Sequence, residues 1–170
     1  MAHSFIYAKI DSNTERSVKI HEGLLQLFMY FFCEVSKQDI RPNSIESKIY
    51  DHYQIGVREY YGYREIMLEE ISANPLLRSW YLPLLYKVEL LLRDFGGYID
   101  NEYLNSIPEL LTDYQPNEIV YTQPVSVQPV IDLINAIRWV LNEDEIGPPE
   151  CFRWFVTSND VVILTNAVKK

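Results

Sequence analysis

The sequence predicts a mostly α protein of the α+β class: a multi-helix globular domain around a central apolar helix at about residues 17–37, with a short N-terminal strand and a C-terminal β-hairpin at about 152–165. Three observations predict it. The run from Ser17 to Gln38 is the most apolar in the chain and carries Ile20, Leu24, Leu27, Phe28, Phe31, Phe32 and Val35 at helical spacing. A second run, Leu84, Leu85, Val88, Leu91, Leu92 and Phe95, reproduces that face. The longer alternating or β-branched stretches lie near the two ends.

Size and composition agree with one folded unit over residues 1–170. A chain of 170 residues buries roughly two thirds of its unfolded surface, and an apolar fraction of 48% with 23% charged residues is ordinary for a globular protein. Thirteen tyrosines are a high usage, which places many rings at the boundary between core and water.

Taken in order, Phe5, Tyr7 and Lys9 alternate with Ile6, Ala8 and Ile10, a short strand that Asp11, Ser12 and Asn13 break. The central helix follows. Its nearly uncharged stretch from Gly23 to Cys33 is about half the ~20 residues that a bilayer requires, and Lys19, Glu22, Glu34 and Lys37 bound it, so a buried helix and no membrane association are expected. Met29, Tyr30 and Cys33 make its back apolar as well, which calls for a second layer or another subunit.

Pro42 and the N-cap residue Ser44 open the next helical region, in which Ile45, Ile49, Tyr53, Val57, Tyr60, Met67 or Leu68, and Ile71 keep a helical period. Gly56 and Gly62 weaken it, giving two helices or one with a soft joint near Gly62. Asn74 and Pro75 form a cap and first-turn pair for a helix that Pro83 kinks or restarts and Gly96 and Gly97 stop. Asp100 caps a short turn through Leu104, and Ser106 with Glu109 has capping-box spacing. Ile119 to Tyr121 suggest a brief strand. The last helix starts near Pro129 with Val130, Ile134, Ile137 and Leu141 on one face, and Phe152–Thr157 and Val161–Thr165 form the terminal hairpin.

Motifs for common chemistry are missing. The chain contains no GxxxxGK[ST], GxGxxG, HExxH, CxxC or GxSxG, so no cofactor and no metal site is expected. Glu65, Glu69 and Glu70 read as a solvated helix face, and His21 as an inward-pointing core histidine with one hydrogen-bond partner. The stretch VREYYGYRE interleaves Arg58 and Arg64 with Tyr60, Tyr61 and Tyr63; this is a pattern that can stack nucleobases, but Glu59 and Glu65 oppose it and a helix seam covered by tyrosines is the simpler reading.

Charge supplies the functional expectation. A net charge of −9 argues against a nucleic-acid backbone as direct partner and for a basic protein. No Lys or Arg occurs between Arg93 and Arg138, where Asp94, Asp100, Glu102, Glu109, Asp113, Glu118 and Asp132 fall beside Tyr98, Tyr103, Tyr114 and Tyr121. The expected reading is a non-catalytic binding module, of the inhibitor or immunity type, that engages a basic partner through Tyr98, Asp100, Glu102, Tyr103, Asp113 and Tyr114. Two rivals stand beside it. One is a helical-bundle enzyme pairing His21 or His52 with Glu22 or Asp51; the other is a homo-oligomeric structural protein. The thiols Cys33 and Cys151 make no disulfide framework, and the start MAHSFIYAKID lacks the form of a signal peptide, so a cytoplasmic protein is expected.

Overall fold

The computed structural model describes residues 3–9, 14–58, 64–111, 120–141 and 161–167, and within the first, second and last strands it describes the side chains of Ile6 and Ile20. The architecture is mostly helical with two small antiparallel sheets.

Strands β1 (His3–Lys9) and β2 (Thr14–His21) pair antiparallel, His3 opposite His21 and Lys9 opposite Glu15. Strand β5 (Val161–Ala167) pairs antiparallel with the other edge of β2, Thr14 opposite Ala167, so the strand order is β1-β2-β5. This corrects the expected start of the central helix near residue 17. Ser17 to His21 are strand, because Val18 and Ile20 also satisfy a period of two and a central strand satisfies its backbone groups on both sides. Helix α1 therefore runs Glu22–Ser36. The C-terminal half of the expected hairpin is a strand, but its described partner is β2; the other half, 152–157, lies outside the described residues.

α1 is the hub of the core. Phe28, Phe31 and Phe32 are fully buried, and α1 packs against α2 (Ile45–Arg58), α4 (Pro75–Asp94) and α6 (Gln128–Val140). Phe32 stands at the centre of an aromatic cluster, with ring centroids 4.9 Å from Tyr81, 5.1 Å from Tyr53 and 5.9 Å from Trp80. The matching faces of α1 and α4 do meet, as their spacing predicts. The back of α1 is covered from within the chain by α2: Met29 is fully buried, and its Sδ lies where a side chain on Gly56 would have to go. Of the second layer or subunit expected behind α1, the structure supplies a second layer at Met29.

The second helical region is two helices, α2 and the short α3 (Leu68–Ala73), with the residues numbered 59–63 outside the described set. The Asn74 side chain accepts hydrogen bonds from the Leu76 and Leu77 amides with Pro75 in the first turn, so α4 starts where the cap predicts. Pro83 lies inside α4 without ending it, on the exposed side. Gly96 and Gly97 close the helix with φ of 69° and 111°, a region that glycine enters without steric cost.

After α4 come β3 (Tyr98–Ile99), α5 (Asn101–Asn105) and a 3-10 turn at Pro108–Leu110. β3 pairs with β4 (Val125–Ser126), a two-stranded contact that the sequence reading lacked. Asp100 caps α5 by accepting from the Glu102 amide at 2.7 Å. The capping box at Ser106 does not form; its hydroxyl donates to the Tyr103 carbonyl, and Ile107 precedes the turn without a side-chain cap. Val120 and Tyr121 are not a strand but are held by Asn105, whose Oδ1 accepts from both amides at 3.2 and 3.1 Å and whose Nδ2 donates to the Tyr121 carbonyl at 2.8 Å.

Candidate functional site

α1 and α2 present the same spacing to each other. Tyr30, Cys33 and Glu34 stand at positions i, i+3 and i+4 on α1, and Gln54, Val57 and Arg58 repeat that pattern on α2, so each set forms one face of its helix. Between the two faces lies a cleft of about 280 Å3, which Glu109 of the 3-10 turn borders as well. Among its lining residues Val57 and Cys33 are buried, while Glu34, Arg58 and Glu109 are exposed.

The aromatic side of the cleft continues to α5. Tyr30 packs on Phe31 at 5.2 Å between centroids, Phe31 on Phe95 at 5.8 Å, and Phe95 on Tyr103 at 5.4 Å. Tyr30 and Tyr103 thus stand at the two ends of a chain of four rings. Burial first, then the neighbouring Tyr103, Glu34 and Glu109, push the Tyr30 phenol above its ordinary value, so it stays protonated across the physiological range. Burial, reinforced by Glu34 and Asp51, pushes the Cys33 thiol up to about 12. A thiol this protonated is a poor nucleophile, which fits Cys33 as a buried packing residue rather than as a reactive centre.

The charges at the cleft are of both signs: Glu34 and Glu109 stand against Arg58, with Lys37 beside Glu34. Glu34 pairs with Lys37 at 2.9 Å, with both side chains well exposed, a contact of low energy that solvent screens. Among the described residues Glu109 makes no ion pair. Arg58 is the cation among the lining residues, and Lys37 stands near Tyr50 at the edge.

Of the residues expected to bind a partner, Tyr103 is linked to the cleft residue Tyr30 through the rings of Phe95 and Phe31. Tyr98 is exposed at 65% on β3, and Asp100 and Glu102 are exposed around the start of α5. Asp113 and Tyr114 lie outside the described residues, as do Tyr60, Tyr61 and Tyr63. Asp132, counted in the acidic interval, is buried in α6 and accepts a hydrogen bond from Gln128 at 2.7 Å, so it adds nothing to a surface field. The sequence reading missed Tyr30, Glu34, Gln54 and Glu109 as site residues; the matched i, i+3, i+4 spacing on two neighbouring helices was the available signal.

The remaining candidates have structural surroundings. His21 is not on a helix face: it ends β2 opposite His3, and its side chain lies outside the described set. Glu22 instead meets Arg64, whose guanidinium is 4% exposed, at 3.1 Å, and Arg64 Nε donates to the Gly56 carbonyl at 2.7 Å. That burial removes Arg64 from any base-stacking surface. His52 Nε2 sits 3.0 Å from the Glu65 carbonyl, while Asp51 is exposed. Among the described residues no three His, Cys, Asp or Glu converge as metal ligands would, and no helix is long and apolar enough to cross a membrane. No family model, curated protein or solved structure matches the chain.

Proposed function

We propose that this chain is a non-catalytic binding module that engages a basic protein through the acidic, tyrosine-bearing surface running from α5 to the α1–α2 cleft. The observation that carries the reading is the chain of rings from Tyr103 through Phe95 and Phe31 to Tyr30, which joins the acidic segment around Asp100 and Glu102 to a cleft lined by Glu34, Glu109 and Arg58. A surface of this kind steers a cationic partner at long range and then holds it through aromatic contact. An inhibitor or immunity-type role is the form of this function that the net charge of −9 suits. The buried Cys33 thiol accords with a cytoplasmic setting, where thiols stay reduced.

The test compares the wild-type chain with the triple variant Asp100→Asn, Glu102→Gln, Glu109→Gln as baits in a cell lysate at low and high salt. Asn at 100 retains a capping side chain, so the variant keeps α5. Basic proteins retained by the wild type at low salt, and lost both at high salt and with the variant, support the proposal. Equal capture by the two baits removes it.

A further inference from the structure

The outer side of α4 carries an apolar stripe. Leu76 is 77% exposed, Leu90 65% and Tyr86 47%, and the exposed Ser79 and Pro83 stand between them. The steps from 76 to 79, 83, 86 and 90 alternate three and four residues, the seam spacing of a helix that packs along another helix. The core already takes the opposite face of α4 through Leu77, Tyr81, Leu84 and Val88, so this is a second seam. Its aromatic member is held ready for contact. Arg138 stacks on the Tyr86 ring with its guanidinium 3.7 Å from the centroid, and it is anchored in turn by donating to Glu89 at 2.9 Å. A side chain fixed in this way has little freedom left to lose on binding.

The charge around the stripe narrows its occupant. The chain carries −9 overall, yet the flanks of the stripe carry no excess of negative charge. Lys87 pairs with Asp39 at 2.8 Å on one flank, Glu89 pairs with Arg93 and Arg138 at 2.6 and 2.9 Å on the other, and the exposed Asp94 follows Arg93 in sequence. A strongly charged partner finds no one-sign field there to select it, whereas a second acidic copy can approach without meeting a like-charged edge.

We infer that the stripe is a homodimer contact, in which α4 packs antiparallel on α4 of a second copy. A two-fold axis beside Pro83 sets Leu76 of each copy opposite Leu90 of the other and the small Ser79 opposite Tyr86, so the surface complements itself as an isologous contact must. The antiparallel arrangement also brings the positive N-terminal end of each helix to the negative C-terminal end of the other, where a parallel one would juxtapose like ends. At about 1.5 Å per residue the stripe runs about 20 Å, and two such faces bury on the order of 1,000 Å2 in total, the lower limit of a specific interface. The dimer is independent of the basic-partner reading and leaves the α1–α2 cleft and α5 out of the contact.

Sedimentation velocity of the full-length chain between about 1 and 100 μM is expected to show monomer passing to dimer with a Kd on the order of 10 μM. Leu76→Glu and Leu90→Glu place a good helix former at exposed positions, and each is expected to weaken dimerisation about tenfold or more while the circular dichroism spectrum stays that of the wild type. The register is read by oxidative cross-linking in a Cys151→Ser background. Leu76→Cys and Leu90→Cys chains mixed together are expected to form a disulfide faster than either variant alone. A chain that stays monomeric up to the highest concentration overturns the inference and leaves the stripe to a different partner. A dimer that both glutamate variants leave intact overturns it as well, because the contact is then elsewhere. Disulfides that form fastest within a single variant overturn the antiparallel register. If a glutamate variant loses its helical spectrum, serine at the same position replaces it and the result is read in the same way.

Discussion

The hydroxyls of Tyr53 and Tyr81 lie 2.8 Å apart in the fully buried core between α2 and α4. Tyr53 donates its own proton to the Ile66 carbonyl at 2.9 Å, so Tyr81 is the donor within the pair and the two hydroxyls form a directed chain. Its two members are therefore not equivalent. Tyr53→Phe removes the acceptor of Tyr81 and the donor to Ile66 together, leaving buried polar groups unsatisfied at a cost of about 1–3 kcal/mol. Tyr81→Phe leaves Tyr53 bonded to Ile66 and is expected to cost less, about 0.5–1.5 kcal/mol. Urea unfolding of the two variants checks the order, and a larger loss for Tyr81→Phe contradicts it.

Alkaline pH is expected to unfold the chain through the same groups. Burial raises the folded-state values of Tyr53, Tyr81 and Cys33 above their ordinary ones, so the unfolded chain releases these protons first. The folded state then binds more protons than the unfolded state, and stability falls as pH rises. The decline begins near pH 9, the ordinary thiol value, where the Cys33 contribution starts to be lost, and steepens above 10 as the tyrosines join. Denaturant midpoints measured from pH 8 to 11 should drop monotonically, and the drop should be shallower in the Tyr53→Phe, Tyr81→Phe double variant.

Asn105 ties the segment at Val120 and Tyr121 to α5 through three hydrogen bonds. Asn105→Ala is expected to cost about 1–3 kcal/mol and to speed hydrogen exchange at the Val120 and Tyr121 amides. Asn105→Asp keeps both accepted bonds and loses the donated one, so those two amides should stay more protected than in the alanine variant.

Gly56 is a close approach between helices. A Cβ there would sit 2.6 Å from Met29 Sδ, inside a fully buried contact. Gly56→Ala is expected to destabilise by about 1–3 kcal/mol despite alanine's better helix propensity. In a double-mutant cycle with Met29→Ala the combined loss should fall short of the sum, because the truncated side chain vacates the space the new methyl needs.

Local rules carried much of the fold. The faces of α1, α4 and α6, the Asn74–Pro75 start, the Gly96–Gly97 stop and the Asp100 cap depend on neighbours within a turn or two, and residue types at those spacings are enough to set them. Where one stretch obeyed two periods, local pattern was insufficient. Val18 and Ile20 fit both a helix and a strand, and the choice came from pairing with β1 and with β5, whose Ala167 stands opposite Thr14. A pairing across that much chain leaves no trace in a local window. The site divides in the same way. By itself the sequence determined an acidic, tyrosine-bearing segment, since charge and residue type need no partner to be read. Only the tertiary structure decided that Tyr103 and Tyr30 end one chain of rings, that Arg64 is buried against Glu22 and that Glu109, Glu34 and Arg58 line one cleft. A cleft is a relation between surfaces, and it exists only once α1 and α2 have packed.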